Sequence, residues 1–171
     1  AGVPWCGQKV TQVPTMLINL DTPARICDRR IAALIRGRDL QDRTDIPFDY
    51  HSFHRPAYNA ASDEHTESLI CDMTEREIGL LAVDHFGAVT GGQKEIDVAR
   101  AMLDQWRRIA DETGCHVSII HHFNKEAREF RGVSDILNLA DFMIYVTKNK
   151  CVKGAVTFKA KKCRTMPIEP F

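Results

Sequence analysis

Two short apolar runs, IGLLAVDHF at residues 78–86 and CHVSIIHHF at residues 115–123, flank one long amphipathic stretch, and this arrangement restricts the chain more than any other feature. The first run is apolar at consecutive positions, as a central parallel strand covered on both faces requires, and the second also reads as a buried strand. Between them, in KEIDVARAMLDQWRRIADETG, the residues Ile96, Ala99, Met102, Leu103, Trp106 and Ile109 recur at helical spacing, and Gly114 ends the pattern. Strand, helix and strand of this length close as a right-handed crossover between parallel neighbours. The expected fold class is therefore α/β.

The flanking segments extend the same alternation. TMLINL (15–20) is a β-type run, and Asp21-Thr22-Pro23 after it suits a helix start, with Asp or Thr as the cap. ARICDRRIAALIRG follows, with Ile26, Ile31, Leu34 and Ile35 on one helical face and a stop at Gly37. FDYHSFHRP (48–56) alternates well enough for a strand that Pro56 ends, and a polar helix is expected through about residues 63–76. ADFMIYVTKN and GAVTFKAKKCR read as two strands joined by a turn near Lys153-Gly154. No repeat, low-complexity tract or Gly/Ser-rich linker interrupts the sequence, so residues 1–171 are read as one domain with a three-layer, parallel-core sheet flanked by helices.

Composition narrows the function classes only modestly. Lys plus Arg (23) equals Asp plus Glu (23), which gives no whole-chain argument for a polyanionic partner. Residues 148–164, KNKCVKGAVTFKAKKCR, form a basic segment with no carboxylate, either a solvated face or an anion-binding one. The six cysteines show no CxxC pair, which favours a reduced, intracellular protein. His51 and His54 form an HxxH pair, but no Cys or carboxylate stands beside them at ligand spacing. No apolar run approaches the ~18–20 residues of a membrane span, and the start AGVPWCGQKV lacks the apolar centre of a signal peptide. A soluble, cytoplasmic chain with no membrane partner is expected.

In doubly wound sheets, ligands sit beyond the carboxyl ends of the strands. That edge should carry Asp21, Asp84, His121 and His122. A strand-terminal Asp such as Asp84 is the group that holds a hydrated Mg²⁺ against nucleotide phosphates, although the same pattern also serves as a turn former.

The order of these segments resembles the RecA-like P-loop ATPases, in particular the RepA-type replicative hexameric helicases. LINLDTPARICDRRIAAL is similar to the strand, acidic residue and helix after their nucleotide site, and IGLLAVDHFGAVTGG to Walker B with its trailing loop. VSIIHHFNKEAREFRGVSDILNLADFMIYV is similar to their His-His strand end, mobile loop and next strand, and VTFKAKKCRTMPIEPF to a last strand with its cations. The resemblance implies ATP and Mg²⁺ as cofactors, single-stranded DNA as partner, and a homo-oligomeric ring or filament. It implies that Asp84 binds Mg²⁺ through water and that Asp21 polarises the attacking water, the helix cap remaining its other reading. His121 or His122 would sense the γ-phosphate, as against a scaffolding role. Asn124, Lys125, Arg128 and Arg131, with Gly132 as a flexible point, would contact DNA, and Lys162 and Arg164 would act on a neighbouring subunit's phosphates.

One departure stands out. The sequence contains no GxxxxGK[ST] phosphate loop; in GVPWCGQKV, Lys9 is one place late and the Ser/Thr is absent. The resemblance places Ala1 about 20–30 residues downstream of that loop, given elements of ordinary length, so the fold is expected to be N-terminally truncated relative to the family. Two functions follow: an ATPase coupled to single-stranded DNA binding or translocation, or a non-catalytic RecA-like module that binds DNA or other subunits.

Overall fold

The computed structural model describes residues 9–52, 58–122 and 134–164. Four strands form a parallel sheet in the order β2-β1-β3-β4: β1 (Thr15–Asn19), β2 (Phe48–Ser52), β3 (Leu80–Asp84) and β4 (His116–Ile119). Helix α1 (Ala24–Gly37) connects β1 to β2, α2 (Asp63–Glu75) precedes β3, and α3 (Glu95–Thr113) makes the crossover from β3 to β4. Beyond them lie α4 (Ser134–Leu139) and an antiparallel hairpin of β5 (Phe142–Lys148) and β6 (Val156–Cys163), which forms a sheet of its own. The expected α/β architecture, a parallel sheet flanked by helices, is the one observed.

Local chemistry accounts for the helix limits. Ser62 caps α2 by accepting from the His65 amide, and Asp63 and Glu64 place negative charge at its positive end. At the far end of α3, Gly114 adopts φ +70° and donates its amide to the Ala110 carbonyl. A side chain at that φ is disfavoured, so glycine stops the helix without strain.

The core lies on one face of the sheet. Met16 and Ile18 of β1 and Leu81 and Val83 of β3 are fully buried there, beneath Leu69 and Met73 of α2 and Val98, Ala99, Met102, Trp106 and Ile109 of α3. Trp106 is thus a core residue, as its place in the apolar stripe implied. Ile96, assigned to the same stripe, is 70% exposed.

Three sequence-based expectations require correction. The apolar face of α1 stays out of the core: Leu34 is 68% exposed, and Cys27 is the helix's one buried residue. Helix α1 lies over the outer strand β2, where Ile31 and Ile35 line a shallow groove with Ile46, Phe48 and Tyr50. The cap expected from Asp21 or Thr22 is not formed; Pro23 occupies the N-cap with no side-chain hydrogen bond. Strand β4, expected to be a buried strand, is the outer strand among the described residues, with Ile120 just beyond its end 51% exposed.

Ile109→Ala is expected to lower the unfolding free energy by about 2–5 kcal/mol, because it leaves a cavity under the sheet. Ile96→Ala should change it by less than about 0.5 kcal/mol. Equilibrium denaturation of both variants checks the assignment of the core face; equal losses would contradict it.

Candidate functional site

The site begins with strand register. β1 and β3 pair in parallel from Thr15 with Leu80 to Asn19 with Asp84, so two polar residues end adjacent strands at the same level. Asn19 is buried and organises the exit from β1: its Nδ2 donates to the Thr22 carbonyl at 2.6 Å, and its Oδ1 accepts from the Thr22 amide at 3.1 Å. This side chain closes the turn that Asp21 or Thr22 was expected to cap. Asp21, held on the turn, is exposed and faces His85, with Oδ1 4.0 Å from His85 Nδ1.

On the other side, β3 and β4 finish together. Ile120 donates its amide to the Val83 carbonyl, and Phe86 donates its amide to the Ile120 carbonyl, which brings the residues after both strands face to face. The His85 and His122 rings lie 4.5 Å apart, and the His121 ring stacks on Phe86 at 5.3 Å. His121 Nε2 lies 2.9 Å from Glu95 Oε1, at the start of α3. The expected edge residues Asp21, Asp84, His121 and His122 are therefore gathered at one end of the sheet. His85 and Glu95 join them, and the sequence reading identified neither. His85 directly follows Asp84 and lay in plain view; Glu95 looked like an ordinary acidic residue in a first helical turn, with nothing to point at a histidine 26 positions away.

Gly87 permits this close assembly. A Cβ there would stand 3.3 Å from both Glu95 Oε2 and His85 Nε2, tighter than ordinary contact.

The electrostatics of His85 are distinctive. Its pKa is lowered, first by burial and then by the neighbouring His122, against the opposing pull of Asp21 and Asp84. Its buried Nδ1 has no hydrogen-bond partner among the described residues. The folded state therefore favours a neutral ring at position 85.

The remaining expected residues lie elsewhere. Lys162 Nζ donates to the Asn138 carbonyl at 3.0 Å, and Arg164 donates to the same carbonyl and to Asp141 Oδ1. Both cations thus sit at the C-terminal end of α4, where unpaired carbonyls and the helix dipole favour positive charge. Asn124, Lys125, Arg128 and Arg131 lie outside the described residues.

No group of three or more His, Cys, Asp and Glu among the described residues is arranged to ligate a metal directly. A half-buried strand-end carboxylate suits a different mode, in which Mg²⁺ keeps its waters and contacts the protein through one or two acidic groups. Asp84, with Asp21 on the turn after the neighbouring strand, fits that chemistry.

In an α/β domain with a parallel sheet, ligands bind beyond the carboxyl ends of the strands, which is where these carboxylates and histidines collect. A family model described as AAA domain matches residues 1–128, and the chain belongs to that P-loop ATPase-like family. No curated protein matches it. No helix among the described residues is long and apolar enough to cross a membrane.

The lowered pKa of His85 gives a pH prediction. Between its folded value and the ordinary ~6.5 of an unfolded histidine, the unfolded chain binds the extra proton, so this contribution to stability is complete above that range and lost as pH falls through it. Denaturation in metal-free buffer should show lower stability below about pH 6.5, with a shallower dependence in His85→Asn. An unchanged pH profile in that variant would contradict the assignment.

Proposed function

We propose that this chain is a RecA-like ATPase domain that couples ATP hydrolysis to binding of, or movement along, single-stranded DNA, in the manner of a replicative helicase. The observation that carries the reading is the convergence of Asp21, Asp84, His85, Glu95, His121 and His122 at the carboxyl edge of a parallel sheet, in a chain of the AAA domain family.

Mg²⁺, when bound with ATP, supplies the charge that neutralises the transferring phosphoryl group. Asp84 would hold it through water, its carboxylate fixed by the pairing of β3 with β1. Asp21, exposed on the turn after β1, would orient the attacking water. His121 and His122, at the end of β4, would contact the γ-phosphate and pass its presence to the residues that follow them. Lys162 and Arg164 would exchange their contacts with Asn138 and Asp141 for the phosphate site of a neighbouring copy in a ring or filament. Asn124, Lys125, Arg128 and Arg131 would touch the DNA. Such work belongs in the cytoplasm, on the replicating DNA.

A second reading rests on a specific observation. The cations Lys148, Lys150, Lys153, Lys159 and Lys161 are exposed on the hairpin. A non-catalytic module would bind DNA through that surface, with affinity that falls steeply as salt rises and no response to ATP.

Under the first reading, the purified protein hydrolyses ATP faster when single-stranded DNA is added, and Asp84→Ala lowers turnover by about 10²-fold or more. Steady-state assays of the two proteins decide the matter. Turnover indifferent to that substitution overturns the ATPase reading, and salt-sensitive DNA binding without turnover favours the second.

A further inference from the structure

No hydrogen bond holds the Asp21 carboxylate among the described residues, and its side chain is 51% exposed. Its place is therefore set by the backbone of the turn at residues 20–23. Among the described residues, three ties fix that turn. The Leu20 amide donates to the Asp84 carbonyl at 3.1 Å, which anchors the start of the turn to β3. The other two come from one side chain: Asn19 Nδ2 donates to the Thr22 carbonyl at 2.6 Å, and Asn19 Oδ1 accepts from the Thr22 amide at 3.1 Å.

This pairing dictates the orientation of the Asn19 amide. The Thr22 N–H requires an acceptor and the Thr22 carbonyl a donor, so Oδ1 and Nδ2 each have only one place to stand. The second Nδ2 hydrogen goes to the Tyr50 hydroxyl at 3.3 Å, on the neighbouring strand β2, so both donors are used. Asparagine alone suits the task. Aspartate would set an oxygen against the Thr22 carbonyl, leucine would bond to nothing, and glutamine would overreach by a methylene. Asn19 is 1% exposed, which removes water as a competitor. Thr22 leads directly into Pro23, the N-cap of α1 that has no side-chain hydrogen bond, so the same clasp also sets where that helix begins.

We propose that Asn19 is a positioning residue, whose side chain clasps Thr22 and thereby holds Asp21 at the carboxyl edge beside Asp84 and His85. Its purpose rests on the nucleotide reading above, in which Asp21 orients the attacking water, although the clasp itself rests on geometry. The short side chain of an aspartate cannot make up for a displaced backbone. The turn must therefore deliver it accurately, since a misplacement of about 1 Å can cost about 10²-fold in rate. The bond to Tyr50 extends the hold to β2, so the turn is referred to three adjacent strands at once.

Trans-hydrogen-bond NMR on the whole protein, recorded without nucleotide or metal, tests the clasp independently of any activity. A scalar coupling between the Asn19 side-chain nitrogen and the Thr22 carbonyl carbon is expected in the wild type, and its absence overturns the proposal. Because it is read on the wild type, this result is decisive even where a variant fails to fold. In ATPase assays, Asn19→Leu, which keeps the bulk and removes the bonds, should lower kcat by about 10²-fold with KM within about twofold. Ile109→Ala, which loosens the core away from the edge, should leave kcat per folded molecule unchanged. In an Asp21→Ala background, Asn19→Leu should lower kcat by less than about twofold more, because the two residues act as one unit. An equal further loss there, or a raised KM with unchanged kcat in the single variant, contradicts positioning through Asp21. Absence of turnover in the wild type overturns the proposed function, and the coupling then still decides whether Asn19 holds the turn.

Discussion

The parallel register of β1 against β3 is the constraint on which the rest of the site depends. Because Thr15 lies opposite Leu80, Asn19 lies opposite Asp84, and Met16, Ile18, Leu81 and Val83 all face the same side. A slip of β3 by one residue would turn the fully buried Leu81 and Val83 away from α2 and α3 and carry Asp84 to the other face. The free energy that fixes the register therefore comes from the core, but its consequence is felt at the polar edge. Asn19 extends this logic: by closing the turn after β1 with its own side chain, it sets where Asp21 emerges toward His85.

The fold was most legible where local pattern and tertiary environment agree. The crossover β3-α3-β4 was readable because β3 is continuously apolar up to Asp84, the helix has a clear period and Gly114 supplies the stop. Helix α1 has an equally clear period, yet Leu34 is exposed, because periodicity reveals which residues share a face and not whether anything covers that face. Strand β4 misled for the related reason that apolar composition says nothing about position within a sheet. At the site, Asp21, Asp84, His121 and His122 were legible as residues at strand ends. Glu95 was not, since its meeting with His121 depends on how α3 docks, which no local signal encodes.

The edge also shows a division of labour among histidines. His85 is driven toward neutrality by burial and by its neighbour His122. His121, a short distance away, is flanked by two acceptors and held by a carboxylate. Rings of the same chemistry thus stand in different surroundings within one edge, His85 beside a second ring and His121 beside a carboxylate. The hairpin cations Lys162 and Arg164 stand apart from this cluster, committed to the end of α4.

The central claim is that the carboxyl edge of the sheet receives a metal-bound nucleotide. Titration with ATP and Mn²⁺, a paramagnetic substitute for Mg²⁺, tests it directly through the ring resonances of the seven histidines. The account predicts the strongest broadening at His85, His121 and His122 and the weakest at His116, which lies at the amino end of β4, with loss of that order in Asp84→Asn. Broadening centred on His116, or none at any ring, would contradict it.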